Sequence, residues 1–209
     1  ATKMIPNNQI DRSIRFNKLM EAIKFVYAST FFKASRDYFK ATHYSINDER
    51  MCVVIQKIVG NSINRRFYPT FSGVARSYNY YPTGRMKPND GVVNLALGLG
   101  KTIVDGGITW TYSPKYPKIS APFANPNEIL KKTQTKFWAV DISNESKYRP
   151  FAESEYLIEL NLSDSEKDGT LVNIASTYNA GSDKMVMGIG SDGARVVNFA
   201  PLLALNDYK

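Results

Sequence analysis

Gly98-Leu99-Gly100-Lys101-Thr102 is the stretch of this 209-residue chain best suited to meet a phosphate. Backbone N–H groups at such a turn can wrap phosphate oxygens, and an ammonium can balance their charge. A nucleoside-triphosphatase phosphate loop also needs a glycine five residues before the second one, but that position is Leu95. Lys101 therefore reads either as a phosphate contact or as a solvent-facing lysine. The chain has one histidine, His43, which reads as a surface residue at a helix end, and one cysteine, Cys52. These counts exclude a histidine-based zinc site, a Cys/His pair and most Ser/His/Asp arrangements. The acidic pairs Glu153/Glu155, Asp164/Glu166 and Asp48/Glu49 lie in polar stretches that read as turns or exposed edges. No catalytic or metal-ligating residue is expected.

The composition, 43% hydrophobic and 22% charged, is that of ordinary globular protein. A chain of this length buries roughly 70% of its extended surface. No Gly/Ser or Pro linker divides it, so one compact unit spanning 1–209 is expected. The net charge of +8 favours acidic partners, yet the cations are spread along the chain and read as solvated faces. A lone cysteine within Met51-Cys52-Val53-Val54-Ile55 reads as a small buried thiol, consistent with a reducing, cytoplasmic setting. No apolar run is long enough to span a bilayer, and residues 1–8 carry no targeting pattern. The absence of an initial Met, and an end at Lys209 just after an apolar run, lead us to expect a fragment of a longer protein.

Around these residues the sequence predicts an α+β architecture. Ile10, Ile14, Leu19, Ile23, Val26, Tyr27 and Phe31 recur at helical spacing, which predicts a long helix or helix pair over 10–40. Its start is placed at Pro6-Asn7-Asn8 and any break at Ser29-Thr30. Strands are predicted over 51–59, 71–80 and 91–97, paired antiparallel. A short helix follows at 101–105. Further strands are predicted over 108–112, 137–141, 157–162, 170–176 and 195–199. A short helix is expected near 127–133, after a proline-rich connection, and a turn at 179–183.

Four motifs stand in one order within 19–106: Val26-Tyr27-Ala28-Ser29, Val53-Val54-Ile55-Gln56-Lys57-Ile58-Val59, Ser72-Gly73-Val74-Ala75-Arg76-Ser77 and Gly98-Leu99-Gly100-Lys101. They resemble the W-A-S-L, V-x-V-Q-x-M-V, S-G-V-x-F-T and G-L-G-E sequences of the nucleotide domain shared by phosphoenolpyruvate synthases, pyruvate phosphate dikinases and rifampin phosphotransferases. The resemblance implies part of an ATP-grasp domain, with 1–106 as the family-like core and 107–209 a divergent, strand-rich portion. It implies ATP and magnesium as cofactors of the full-length parent, with none bound tightly to this chain. The parent would phosphorylate a histidine on a mobile domain, which passes the group to pyruvate or a similar small acceptor. It places Gln56, Lys57, Ile58 and Val59 along the adenine, with Lys101 near the phosphates.

Two departures qualify that expectation. Lys101 stands where the family has glutamate, and Arg76 where it usually has an aromatic residue. The family's V-R-S-S-A, D-I-E-W and Q-A-R-P sequences, which supply phosphate-binding cations and the metal carboxylate, do not occur here. The chain alone is therefore expected to be inactive. An alternative is a non-catalytic module that binds a protein or ligand through the Pro- and Tyr-rich stretch 112–123. Single-stranded nucleic acid, suggested by Tyr78, Tyr80 and Tyr81 beside Arg76 and Arg85, ranks last among the partners.

Overall fold

Asp11 begins the first helix by accepting a hydrogen bond from the Ser13 N–H at 2.8 Å, which satisfies one of the N–H groups a helix start leaves open. A computed structural model of the chain describes residues 1–42, 44–117, 126–143, 152 and 154–204. Helix α1 covers Arg12–Ala28 and α2 covers Lys33–Ala41, joined by a tight turn at Ser29–Phe31. The break falls where the Ser-Thr pair predicts it, because the Ser29 hydroxyl bonds back to the Val26 carbonyl at 2.6 Å. The start lies at Asp11, later than Pro6-Asn7-Asn8 suggests. The apolar stripe is largely uncovered: Ala22 and Phe25 are buried, whereas Ile10, Ile14, Tyr27 and Phe31 are exposed. Periodicity identifies a helix; whether a partner covers its face is a separate matter.

The chain resolves into two compact units. The smaller comprises Ala1–Val59, Arg65–Phe67 and Val140–Ile158; the larger comprises Gly60–Asn64, Tyr68–Ala139 and Glu159–Lys209. In the smaller unit Lys3 and Glu155 form an ion pair that is almost wholly buried, with the Lys3 ammonium also bonded to the Ala152 carbonyl at 2.7 Å and lying 5.2 Å from the Phe25 ring centre.

The strand predicted over 51–59 is not formed: these residues carry no regular structure. Val54, Ile55 and Val59 are 62–83% exposed, and Cys52 is exposed rather than buried. β-branched residues favour extended backbone, but a strand exists only where a neighbour completes its hydrogen bonds, and none does so among the described residues. Two short strands, β1 (Asn61–Ile63) and β2 (Arg66–Tyr68), follow instead, with Asn64 and Arg65 at positive φ between them.

In the larger unit β3 (Phe71–Arg76), β4 (Val92–Leu97) and β5 (Trp110–Tyr112) form an antiparallel sheet, with Phe71 opposite Leu97 and Arg76 opposite Val92. This bears out the antiparallel expectation, although β3 ends at Arg76 rather than Tyr80. Helices α3 (Lys101–Val104) and α4 (Pro126–Lys132) and strand β6 (Lys136–Asp141) lie where predicted. Phe67 of β2 pairs with Val140 of β6 within the smaller unit. After β7 (Leu157–Asn161), helix α5 (Leu162–Lys167) replaces a predicted polar turn. Asn161 starts it, its N–H donating to Asp164, and Glu166 holds Arg195 at 2.6 Å. These carboxylates thus have structural partners. A second antiparallel sheet runs in the order β10-β8-β9, from β8 (Ala175–Asn179), β9 (Lys184–Met187) and β10 (Ala194–Val197), before α6 (Ala200–Ala204). The strand predicted over 170–176 begins only at Ala175, since 170–174 form turns, and β9 was not predicted. The proline-rich segment 118–125, His43 and Glu153 lie outside the described residues. Among the described residues no helix is long and apolar enough to cross a membrane.

Leu97, Leu99, Phe137, Leu171, Ile174, Val196 and Phe199 form the buried core of the larger unit. Gln134, 5% exposed, lies against it. Its amide accepts from the Leu97 N–H at 2.8 Å and donates to the Leu97 carbonyl at 3.0 Å and the Lys136 carbonyl at 2.8 Å. A side chain thus stands in for a neighbouring strand at the end of β4. Gln134→Leu keeps the volume but removes three hydrogen bonds to backbone groups, two of them buried, and a buried group left unpaired costs about 1–3 kcal/mol. We expect a loss of roughly 3 kcal/mol or more in urea unfolding; a loss under ~1 kcal/mol would show that the amide is dispensable.

At the other end of β4, the Asp90 carboxylate accepts from the Lys87 N–H at 2.7 Å and from the Lys115 ammonium at 2.9 Å. The Lys115 hydrogen bond, followed by that from Lys87, holds the Asp90 pKa below its ordinary 3.8. A carboxyl depressed in the folded state stabilises the fold above its unfolded pKa, and this is lost as the pH falls through the folded value. Asp90→Asn is therefore less stable than the parent at pH 7, and the difference shrinks as the pH drops below about 4, checked by urea unfolding at pH 7, 5 and 3.

Candidate functional site

At the end of β4 the chain turns sharply through Gly98-Leu99-Gly100 into α3, and two of the four sequence motifs meet there. Ser72, on β3, donates its hydroxyl to the Gly98 carbonyl at 2.7 Å. Gly73 lies opposite Leu95, where a Cβ would come within 2.7 Å of the leucine side chain. The serine and glycine of the S-G-V motif are thus explained by packing against the strand that carries the glycine turn.

The two glycines of the turn differ. Gly98 has φ +79, and a Cβ on it would lie 2.7 Å from the Trp138 carbonyl oxygen and 2.8 Å from the Phe137 ring. Gly100 has ordinary helical dihedrals, and a Cβ there would meet nothing nearer than Ser72 at 3.7 Å. Leu99 is buried and gives its N–H to the Trp138 carbonyl at 3.0 Å. One N–H that a phosphate would want is therefore turned inward. For an anion there remain the Gly100 and Lys101 N–H groups, which have no partner among the described residues, and the Lys101 ammonium.

Lys101 stands at the first position of α3, where the helix dipole disfavours a cation. It is held by Asp105 at 2.6 Å and by the Trp138 ring, 5.5 Å from its ammonium. Exposed i,i+4 pairs contribute about 0.3–0.5 kcal/mol and exposed cation–π contacts about 0.5–1 kcal/mol. These contacts are weak enough for an arriving anion to replace. The reading of the sequence did not single out Asp105, which the i,i+4 spacing to Lys101 could have revealed; Trp138 and Gln134, some forty residues away, left no signal near the motif. The Thr102 hydroxyl is buried without a hydrogen-bond partner. It cannot serve as the exposed magnesium ligand of a phosphate loop, and the antiparallel setting likewise departs from that motif.

Gln56, Lys57, Ile58 and Val59 belong to the smaller unit and Lys101 to the larger. Gln56, Lys57 and Val59 are exposed and Ile58 is half-buried, in backbone without regular structure that hydrogen-bonds to none of the described residues. Their edge groups are open to a ligand, though not as part of a sheet. Among the described residues no group of three or more His, Cys, Asp or Glu side chains could hold a metal ion.

Gly98→Ala would force an L residue into positive φ, costing about 1–2 kcal/mol, and would overpack the Trp138 carbonyl for a further 1–3 kcal/mol. We expect a loss of roughly 2–5 kcal/mol in urea unfolding. Gly100→Ala should lie within about 1 kcal/mol of the parent, because its backbone already suits alanine. Equal effects would overturn this assignment.

A family model described as pyruvate phosphate dikinase, AMP/ATP-binding domain, matches residues 13–167. That range takes in all four motifs and runs past 106, through β6 and β7 to α5. Comparison with curated proteins and with solved structures gave no match. With well over half of its length matched, the chain belongs to the pyruvate phosphate dikinase AMP/ATP-binding domain family.

Proposed function

We propose that this chain is the central portion of the nucleotide-binding domain of an ATP-dependent phosphotransferase, one that passes a phosphoryl group through a carrier histidine to pyruvate or a similar small acceptor. The observation that carries the reading is the family match across 13–167, joined to the meeting of Ser72 and Gly98 at the glycine turn. In this reading the open backbone of Gln56–Val59 borders the adenine, whose polar edge suits N–H and carbonyl groups and whose faces suit apolar side chains. Lys101 contacts phosphate, exchanging Asp105 for the ligand. ATP supplies the phosphoryl group, and magnesium would neutralise its oxygens. No residue here is assigned to the metal or to the chemical step, and residues 107–209 extend the core represented by 1–106.

A second reading rests on Lys101 itself. Its ammonium is already engaged by Asp105 and Trp138, and it replaces the glutamate that the resemblance leads one to expect, as it would in a module that binds without catalysing.

Calorimetric titration of the 209-residue chain with Mg-ATP separates the two. The phosphotransferase reading expects weak binding, no ATP hydrolysis, and a Lys101→Ala variant weakened about three- to tenfold, the range for one partly solvated charged hydrogen bond. Rapid magnesium-dependent hydrolysis by the chain alone would refute the missing-parts argument. Binding indifferent to Lys101→Ala would transfer support to the module.

A further inference from the structure

The excess positive charge is concentrated in one span. Between Met51 and Asn89 there are six basic residues and no acidic one, which leaves 21 basic against 19 acidic residues elsewhere. Three of the six, Arg76, Arg85 and Lys87, sit on or beside the connection from β3 to β4. All three are exposed. Arg76 and Arg85 form no ion pair among the described residues, and Lys87 gives its backbone N–H, not its ammonium, to Asp90.

The same connection carries Tyr78, Tyr80 and Tyr81, which are 45%, 74% and 88% exposed. The rings of Tyr78 and Tyr80 meet edge to face at 4.9 Å, which leaves ring faces in solvent. Nor does the loop lack anchors: Asn79, 7% exposed, donates its N–H to the Pro88 carbonyl at 2.7 Å and accepts from the Tyr81 N–H through its side chain at 3.0 Å. Arg76 pairs with Val92 at the base, and Asp90 holds Lys115. The rings are thus presented on a pinned frame.

We propose that the β3–β4 connection is a binding surface for single-stranded nucleic acid, with Tyr80 and Tyr81 stacking bases and Arg76, Arg85 and Lys87 holding phosphates. Every base has a face to stack, and a single strand brings phosphates at regular intervals, so rings interleaved with cations match both chemistries. An acidic protein segment fits less well. From Ser77 to Asn89 the only aliphatic side chains are those of Pro82, Met86 and Pro88, and protein interfaces are depleted in lysine and anchored by packed apolar groups. A duplex hides its base faces. The surface does not depend on the nucleotide reading above.

The test is fluorescence anisotropy of a labelled twelve-residue oligothymidylate against the 209-residue chain, in 50–200 mM KCl. Neutralising three phosphates of a single strand gives a log–log salt slope near −2, a roughly twentyfold loss of affinity over that range. The triple variant Arg76→Gln, Arg85→Gln, Lys87→Gln flattens this slope. The double variant Tyr80→Leu, Tyr81→Leu keeps the slope and weakens binding roughly tenfold or more. All five side chains are exposed, so the melting midpoint stays put; Tyr81→Ser alone gives the same direction if the double variant melts early. Affinity unmoved by the tyrosine variants, equal binding of a duplex or of a twelve-residue polyglutamate, or displacement by Mg-ATP would each overturn the proposal.

Discussion

The larger unit depends on a close backbone approach. Where β4 ends, Gly98 passes so near the Trp138 carbonyl and the Phe137 ring that no side chain fits. The approach brings the Leu99 N–H onto that carbonyl and the Gly98 carbonyl onto the Ser72 hydroxyl. Gln134 bridges the same end of β4 with one amide. Buried backbone groups are costly unless bonded, and here each is answered by a group far away in sequence. The glycine turn is therefore shaped first by packing. What it offers a ligand, two open N–H groups and a lysine, is what that packing leaves over.

This accounts for which features the sequence disclosed. β4 and α3 were readable because a valine-led run and a Gly-x-Gly turn are local patterns, and β3 because its Ser-Gly-Val motif packs on β4, with Ser72 bonded to the Gly98 carbonyl and Gly73 against Leu95. The break at Ser29 was readable for the same local reason, a hydroxyl competing for a helical carbonyl. The segment 51–59 was misjudged because propensity speaks only for the segment itself, while pairing needs a neighbour. Cys52 followed it: a thiol in an apolar run is buried only if something covers the run. Helix α5 is not legible in the sequence because its six residues include one leucine, two serines and three charged side chains, too few apolar positions to reveal a period.

The candidate site was legible unequally. Lys101 is marked in the sequence by its position after the glycines, whereas its contacts with Asp105 and Trp138 enter only through the structure. That ring changes the meaning of the lysine. At the first position of a four-residue helix an ammonium is disfavoured by the dipole, and the ring and the carboxylate offset that cost while no anion is bound. The lysine, where the resemblance leads one to expect glutamate, thus has contacts suited to a cation. Whichever function the domain serves, the lysine belongs to this packing.

Strand β4 also separates the two surfaces of interest. It begins at Val92, paired with Arg76 beside the tyrosine loop, and ends at Leu97 beside the glycine turn. Six residues of strand rise about 3.3 Å each, so the two ends lie some 17–20 Å apart. That distance exceeds a Debye length of about 8 Å at physiological ionic strength, so the loop cations scarcely alter the potential felt at Lys101 across water. A polyanion on the loop and a phosphate at the turn would then act as independent ligands unless the strand itself shifts. Against such a shift stand the Asp90–Lys115 pair at one end and the Gln134 bridge at the other, and β4 can slide in register only by breaking both.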